Sequence, residues 1–357
     1  MKELIFTKDS AWLKKWDEFL VNNPKGSHLI LSDWLKSYKS YGFDFELGLV
    51  LENDKIVGGY GAVIPKFMFF KFYIIPHGLV YDSDYEHLFE THVPEIKNRA
   101  KQKGCCYMQI SVPLSSNKMI HANTYRPQDV SFLEPILKKG KLFNYVYSGY
   151  GLNWVELQGF NEEELLNTLK SNTRRDIRAG LRKHDAFRLL TTESDIKRAY
   201  QLCQQNADEH GYALRSWTDF KTTVLDLIEK GIAHFIGVFK DEDQKGAVFI
   251  VQSGGFYTYI FGGTKREHPN LLSGYVLQWE ALKMSINKNF NGYNISMGGS
   301  RGVLNFKSKF STTAIPYENP HYHSVLNGFY FKLFLFLDKY LEPYKAKISK
   351  VLSKLSR

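Results

Sequence analysis

The sequence predicts an α/β protein of two similar units in tandem, each a mixed, strongly twisted sheet flanked by helices. Three observations lead there. The first is length, since 357 residues suit two domains. The second is composition: 43% apolar and 24% charged residues are ordinary for a globular chain, and exclude disorder, collagen and disulfide scaffolds. The third is an internal echo. Phe45–Gly59 (FELGLVLENDKIVGG) reads as strand, polar turn, strand, and Ala233–Val251 (AHFIGVFKDEDQKGAVFIV) reads the same way about 190 residues later. Each is followed by a helix and a further strand: Val93–Lys103 then Cys105–Val112, and Tyr275–Lys288 then Tyr293–Met297. The period is too long for a solenoid.

The first unit is expected over residues 1–150, on the acceptor side. The second is expected over 151–325, on the donor and catalytic side, with a join near Tyr145–Gln158. A short helical insertion opens it at 161–184. Asn161 can cap a helix whose first turn holds Glu162, Glu163 and Glu164. A second helix from Ser171 carries Arg174, Arg178 and Arg182 four apart, hence on one face. Residues 326–357 form a tail. Aromatics from Phe329 to Phe336 lead into Lys345, Lys347, Lys350, Lys354 and Arg357, the pattern of a basic amphipathic helical segment on an anionic membrane.

Lys and Arg total 47 against 37 Asp and Glu, so the net charge of +10 favours a polyanionic partner. The three cysteines, Cys105, Cys106 and Cys203, have no metal-ligand spacing and read as buried thiols of a reducing cytoplasm. The first residues alternate charged and apolar too soon for a signal peptide. No apolar run approaches the ~20 residues that cross a bilayer. There is no GxSxG elbow, HExxH or Walker loop. His321-Tyr322-His323 reads as a polar turn rather than a metal site. What remains are glycine-rich strand ends: Phe261-Gly262-Gly263-Thr264, and Met297-Gly298-Gly299-Ser300-Arg301-Gly302 followed by Asn305–Phe310. Glycines there would let a ligand approach the backbone. Lys307 just beyond could stabilise an oxyanion or phosphate.

Taken in order, several stretches resemble the Fem family of peptidoglycan-bridge aminoacyltransferases. They are GSHLILSDWLKSYKSYG (26–42), LKSNTRRDIRAGLRK (169–183), HGYALRSWTDF (210–220), Phe261–Thr264, LQWEAL (277–282) and GGSRGVLNFKSKF (298–310). The resemblance implies two tandem GNAT-like acyltransferase domains. It implies an aminoacyl-tRNA donor and no resident cofactor, with a lipid-linked or UDP-linked peptidoglycan precursor as acceptor. It implies that Lys307 faces the reacting ester, and that Arg215, with Lys36 or Lys39, grips the acceptor's diphosphate. Tyr107 would line the acceptor pocket, and Phe306, Tyr259 and Arg301 would contact substrate. The family's aspartate before the proline after Tyr107 is replaced by Val112, and its tyrosine four residues after the arginine by Asp219.

Blander roles stand beside these. Tyr107 and Trp34 can be core residues, Arg215 can pair with Asp208 or Asp219, and Lys36 and Lys39 can be solvated. Two other functions keep the fold. One is an N-acyltransferase using acyl-CoA or an acyl carrier protein, although the [QR]xxGx[GA] pyrophosphate loop is absent from both halves. The other is a binding protein on a decayed transferase scaffold. The expected location is the cytoplasm, peripheral on the inner membrane face.

Overall fold

The computed structural model describes residues 2–113, 130–252 and 254–341. The first unit runs β1 (Lys2–Thr7), α1 (Ser10–Asn22), α2 (Ser32–Lys36), β2 (Asp44–Glu52), β3 (Lys55–Ile64), β4 (Lys66–Phe67), β5 (Phe70–Ile75), β6 (Val80–Tyr81), α3 (Leu88–Gln102), β7 (Tyr107–Ser111) and β8 (Lys138–Lys139). The second runs β9 (Gly151–Glu156), α4 (Glu162–Thr168), α5 (Ser171–Lys183), β10 (Ala186–Leu189), α6 (Glu193–His210), α7 (Trp217–Glu229), β11 (Ala233–Lys240), β12 (Asp243–Gln252), β13 (Phe256–Thr264), α8 (Ser273–Asn287), β14 (Gly292–Asn294), α9 (Arg301–Lys307) and β15 (Thr313–Pro316). The chain ends its described part with β16 (His321–Val325) and α10 (Gly328–Leu341).

Two mixed sheets result. One has the order β1-β2-β3-β5-β7-β16-β8, with β4 on β5 and β6 on β3. The other has the order β10-β11-β12-β13-β14-β9-β15. Each contains one parallel neighbour pair, β5 with β7 and β13 with β14. Such a pair needs a crossover, which α3 and α8 supply. The echo read from the sequence is thus a real structural repeat.

Local chemistry sets the element ends. Asn161 and Glu164 form a reciprocal capping box on α4, each side chain accepting the other's backbone N–H at 2.9 Å. Arg174 turns back from α5 to donate to the Asn167 and Leu169 carbonyls left open at the end of α4. α3 starts five residues before the expected Val93, because the helix tolerates Pro94 inside it.

Two expectations need correction. His321-Tyr322-His323 is not a turn but part of β16, which pairs with β7 from His321 opposite Ser111 to Val325 opposite Tyr107. The chain therefore returns to the first sheet before residue 325, inside the stretch assigned to the second unit. The tail also begins as a packed element. Phe331 and Phe334 of α10 are buried against Phe72, Tyr107 and Phe143 of the first unit. The basic part of the tail lies outside the described residues. All three cysteines are buried free thiols.

The units meet through α1 and α2 on one side and α7 on the other. Lys230 at the end of α7 donates to the buried carboxylates of Asp17 and Asp33. The Asp17 carboxylate also holds the Ser32 N–H at 2.7 Å and its hydroxyl at 2.6 Å. Trp34 packs edge-on to Phe220 at 5.3 Å.

Candidate active site

The site begins where β13 and β14 part. Their pairing covers only Phe256–Thr258 against Gly292–Asn294. Beyond it β13 continues to Thr264 on β12, while the chain after Asn294 turns away into α9. The gap opens a cavity of about 850 Å³, which reaches from Lys307 across to Ser27, His28, Trp34 and His77 of the first unit. It therefore belongs to both halves, and its size suits a ligand of several connected groups.

The turn after β14 is built for close approach. Gly299 has φ +137°, and a Cβ there would stand 2.6 Å from Val303. Gly263 lines the cavity as well, and a Cβ there would meet the Leu202 carbonyl of α6 at 2.8 Å. Ser296 lies in the left-handed region at φ +61°. That conformation is costly without glycine and is held from outside, since Asn294 Oδ1 accepts the Ser296 N–H at 3.0 Å and the Asn153 N–H at 3.1 Å.

Lys307, the last residue of α9, points into this turn and is only 3% exposed. Its Nζ donates to Ser296 O (3.0 Å), Ser296 Oγ (3.1 Å) and Gly298 O (2.7 Å). It also stands 5.1 Å from the centre of the Tyr259 ring. An ammonium has three protons, so these bonds use them all. No carboxylate pairs with it among the described residues. Burial alone pushes its pKa down to about 8, leaving it mostly charged at neutral pH but close to titration. The Ser296 hydroxyl, having accepted from Lys307, keeps its own proton for the cavity it lines.

Phe306 and Tyr259 line the same cavity, so the structure brings three of the predicted site residues together. Arg301 is exposed at the start of α9 and does not line it. Arg215 lies in the seam between units, paired with neither Asp208 nor Asp219. Its guanidinium covers Tyr38 (4.9 Å), Tyr41 (5.1 Å) and Phe220 (4.9 Å) and donates to Ser37 Oγ. Lys36 pairs with Asp33 at 2.9 Å, while Lys39 is exposed with no side-chain partner among the described residues. Arg215, Lys36 and Lys39 thus gather around the segment 36–41, and Trp34, two residues earlier, carries that segment to the cavity wall.

Tyr107 does not line the cavity. It is fully buried, donates to Gln109 Oε1 at 3.1 Å, accepts the Leu142 N–H at 3.0 Å and stacks on Phe331 at 4.7 Å. Tyr107 has the packing of a core residue, and the structure does not bring its side chain to this cavity.

Sequence reasoning missed several cavity residues. His28 and His77 are kept neutral by burial, which pushes their pKa values down to about 3 and about 4. His28 lies in the stretch around Trp34, and His77 carried no signal in the sequence. His210 donates from Nδ1 to the Asn206 carbonyl at 2.7 Å and so accepts from Arg266 at Nε2, 3.0 Å away. Tyr147 and Tyr150 also line the cavity, from the segment read as the join between the units.

The FemAB family model matches residues 13–236, well over half the chain. The chain belongs to the FemAB family. An acetyltransferase (GNAT) domain model also matches residues 171–308, which hold the open β13–β14 gap and Lys307. Among solved structures, FemX is 14% identical over 92% of this chain and 99% of its own, with a TM-score of 0.75. The C-terminal domain of a putative lysylphosphatidylglycerol synthetase from Agrobacterium fabrum is 14% identical, covering 93% and 98%, with a TM-score of 0.54. L-PGS from Bacillus licheniformis is 11% identical, covering 93% and 96%, with a TM-score of 0.53. At these identities the likeness shows the fold. No curated protein matches the sequence. Family and domain together make the chain an acyl- or aminoacyltransferase, and the activity of the FemAB family is aminoacyl transfer in peptidoglycan-bridge formation.

Proposed function

We propose that this FemAB protein transfers an amino acid from aminoacyl-tRNA to an amine of a lipid-linked or UDP-linked peptidoglycan precursor. It works without a resident cofactor in the cytoplasm, peripheral to the membrane. The observation that carries the reading is Lys307, a buried ammonium without a carboxylate at the floor of a cavity shared by both units. The donor's aminoacyl end enters between β13 and α9. The acceptor's phosphates meet Arg215 and Lys39 at the seam, and its peptide reaches in past Trp34. Phe306 and Tyr259 wall the reacting centre. The +10 chain suits two anionic substrates.

The chemistry follows from the geometry of Lys307. The acceptor loses one proton to water and attacks as a neutral amine, forming C–N as the ester carbonyl becomes an oxyanion. The charge of the buried Lys307 stabilises that oxyanion. Collapse restores C=O and breaks the C–O bond to the ribose. The departing oxygen takes the free proton of Ser296 Oγ, which is replaced from Lys307 Nζ. The proton shed by the adduct nitrogen returns through water to Lys307. Positioning supplies the rest of the acceleration.

A second reading, acyl transfer from acyl-CoA, is favoured by the match of the acetyltransferase model to 171–308. One assay separates them. Purified protein is given soluble or lipid-linked precursor with labelled aminoacyl-tRNAs or with labelled acetyl-CoA. Label passing from tRNA to precursor is expected, and label passing only from CoA would overturn the tRNA donor.

A further inference from the structure

Outside the active site, the largest unexplained feature is an exposed aromatic face. The β4–β5 hairpin pairs Lys66 with Lys71 and Phe67 with Phe70, leaving Met68 and Phe69 at its tip, 75% and 52% exposed. Soluble hairpins place polar residues there. Beside the tip runs α10, with Phe69 5.8 Å from Tyr330. The inner side of α10 buries Phe331 and Phe334. Its outer side shows Phe329 (73% exposed), Phe336 (57%) and Tyr340 (63%), interleaved with Lys332 and Lys339. The one carboxylate of its described residues, Asp338, is bonded to Tyr145.

We infer that the hairpin tip and the outer face of α10 form one docking surface for an anionic lipid bilayer. Aromatic side chains set among lysines suit the headgroup boundary, where rings sit among acyl ends and ammoniums meet phosphates. Charge selects this occupant over two others. A second copy meeting the same face about a two-fold axis would set lysines against lysines. The chain's own residues 342–357 carry Lys345, Lys347, Lys350, Lys354 and Arg357 against a single Glu342, the same sign as the face. An anionic surface neutralises face and tail together. No helix among the described residues is long and apolar enough to cross a membrane, so the contact is interfacial.

The face is also joined to the active site. Tyr145 packs on Phe67 of the hairpin at 5.4 Å, and Tyr147 and Tyr150, just along the chain, line the cavity. A bilayer under α10 would therefore lie at the foot of a tyrosine path into the site.

The inference deepens the membrane part of the proposed function, and the test keeps the two apart. Full-length protein is floated with phosphatidylcholine vesicles and with vesicles containing 30% phosphatidylglycerol, at low and high salt. Binding to the anionic vesicles is expected, weakened by salt. Met68→Ser with Phe69→Ser, and separately Phe329→Ser with Phe336→Ser, should each lower it by about fivefold or more, since each pair removes apolar area from the contact. These residues are exposed, so folding should survive, checked by circular dichroism. Binding kept by both variants but lost on replacing the tail lysines would overturn the face and leave a tail-only anchor. A dimer that these variants dissociate would assign the face to a second copy. Failure of the unaltered protein to bind any vesicle would overturn both face and tail. Transfer to a soluble precursor reads the proposed reaction independently and should be unchanged in all variants.

Discussion

The two halves share a plan and treat their parallel strand pairs in opposite ways. In the first, β5 and β7 stay paired from Phe72 opposite Tyr107 to Ile75 opposite Ile110. The ground beside them is filled by rings: Phe72 lies 4.3 Å from Phe143, and Tyr107 lies 4.7 Å from Phe331. In the second, β13 and β14 part after three residues, and the space is left open around Lys307. In the first unit α10, from the end of the chain, covers the start of the parallel pair with its rings, and in the second the far end of the pair is left open as a site. Duplicating the fold has therefore not duplicated the chemistry.

The sharpest way to break this comparison is to take a ring away from the covered pair. Phe331→Ala removes a fully packed ring and should cost about 3–5 kcal/mol of stability. The loss should read as a lower denaturation midpoint, with transfer by the remaining folded protein near normal. A specific fall in turnover at unchanged stability would mean that the covered pair of the first unit also takes part in catalysis.

The open gap should answer in the opposite sense. Lys307→Met keeps the stem and removes the charge. Turnover should fall by about 100-fold or more, equivalent to roughly 2.7 kcal/mol of lost transition-state stabilisation. Near-normal turnover would remove Lys307 from the mechanism. The same charge gives a pH signature. Its pKa is lowered to about 8, so the ammonium is present below that pH and lost above it. The kcat profile should carry a descending alkaline limb near pH 8, and an unbroken rise to pH 9.5 would contradict it. Ser296→Gly suits the left-handed backbone and removes the hydroxyl with its methylene, so kcat should fall by about tenfold with KM little changed. A stopped-flow measurement showing equal single-turnover rates would dismiss the relay.

How much of this was legible depends on how local each signal was. The strand-turn-strand echo is local and periodic, so the two sheets followed from it. Lys307 was legible because a glycine-rich turn and a Phe-Lys pair sit close together in sequence. What could not be read is long-range. β16 pairs with β7 across some 210 residues, and an alternating His-Tyr-His offers no sign of that partner. Arg215 was expected to grip a diphosphate, with a nearby carboxylate as the blander partner. It instead entered a ring cluster supplied by Tyr38 and Tyr41, on the other unit. Tyr107 was assigned to the acceptor pocket by its place in a motif, while the packing that buries it comes from Phe331, far along the chain.

The smallest effect tests that last correction. Tyr107→Phe keeps the ring and its stacking on Phe331 and removes only the hydroxyl. That hydroxyl donates to Gln109 and accepts from the Leu142 N–H, which would be left without this partner in the core. The expected cost is about 1 kcal/mol of stability, with kcat and KM for the precursor unchanged. The variant discriminates because the two roles predict different observables. A core tyrosine changes the denaturation midpoint alone. An acceptor-pocket tyrosine changes KM or kcat and leaves the midpoint nearly still. If KM for the precursor rose several-fold at constant stability, the packing around Tyr107 would have to open in the presence of acceptor. The contrast between a filled half and an open half would then describe only the ligand-free protein.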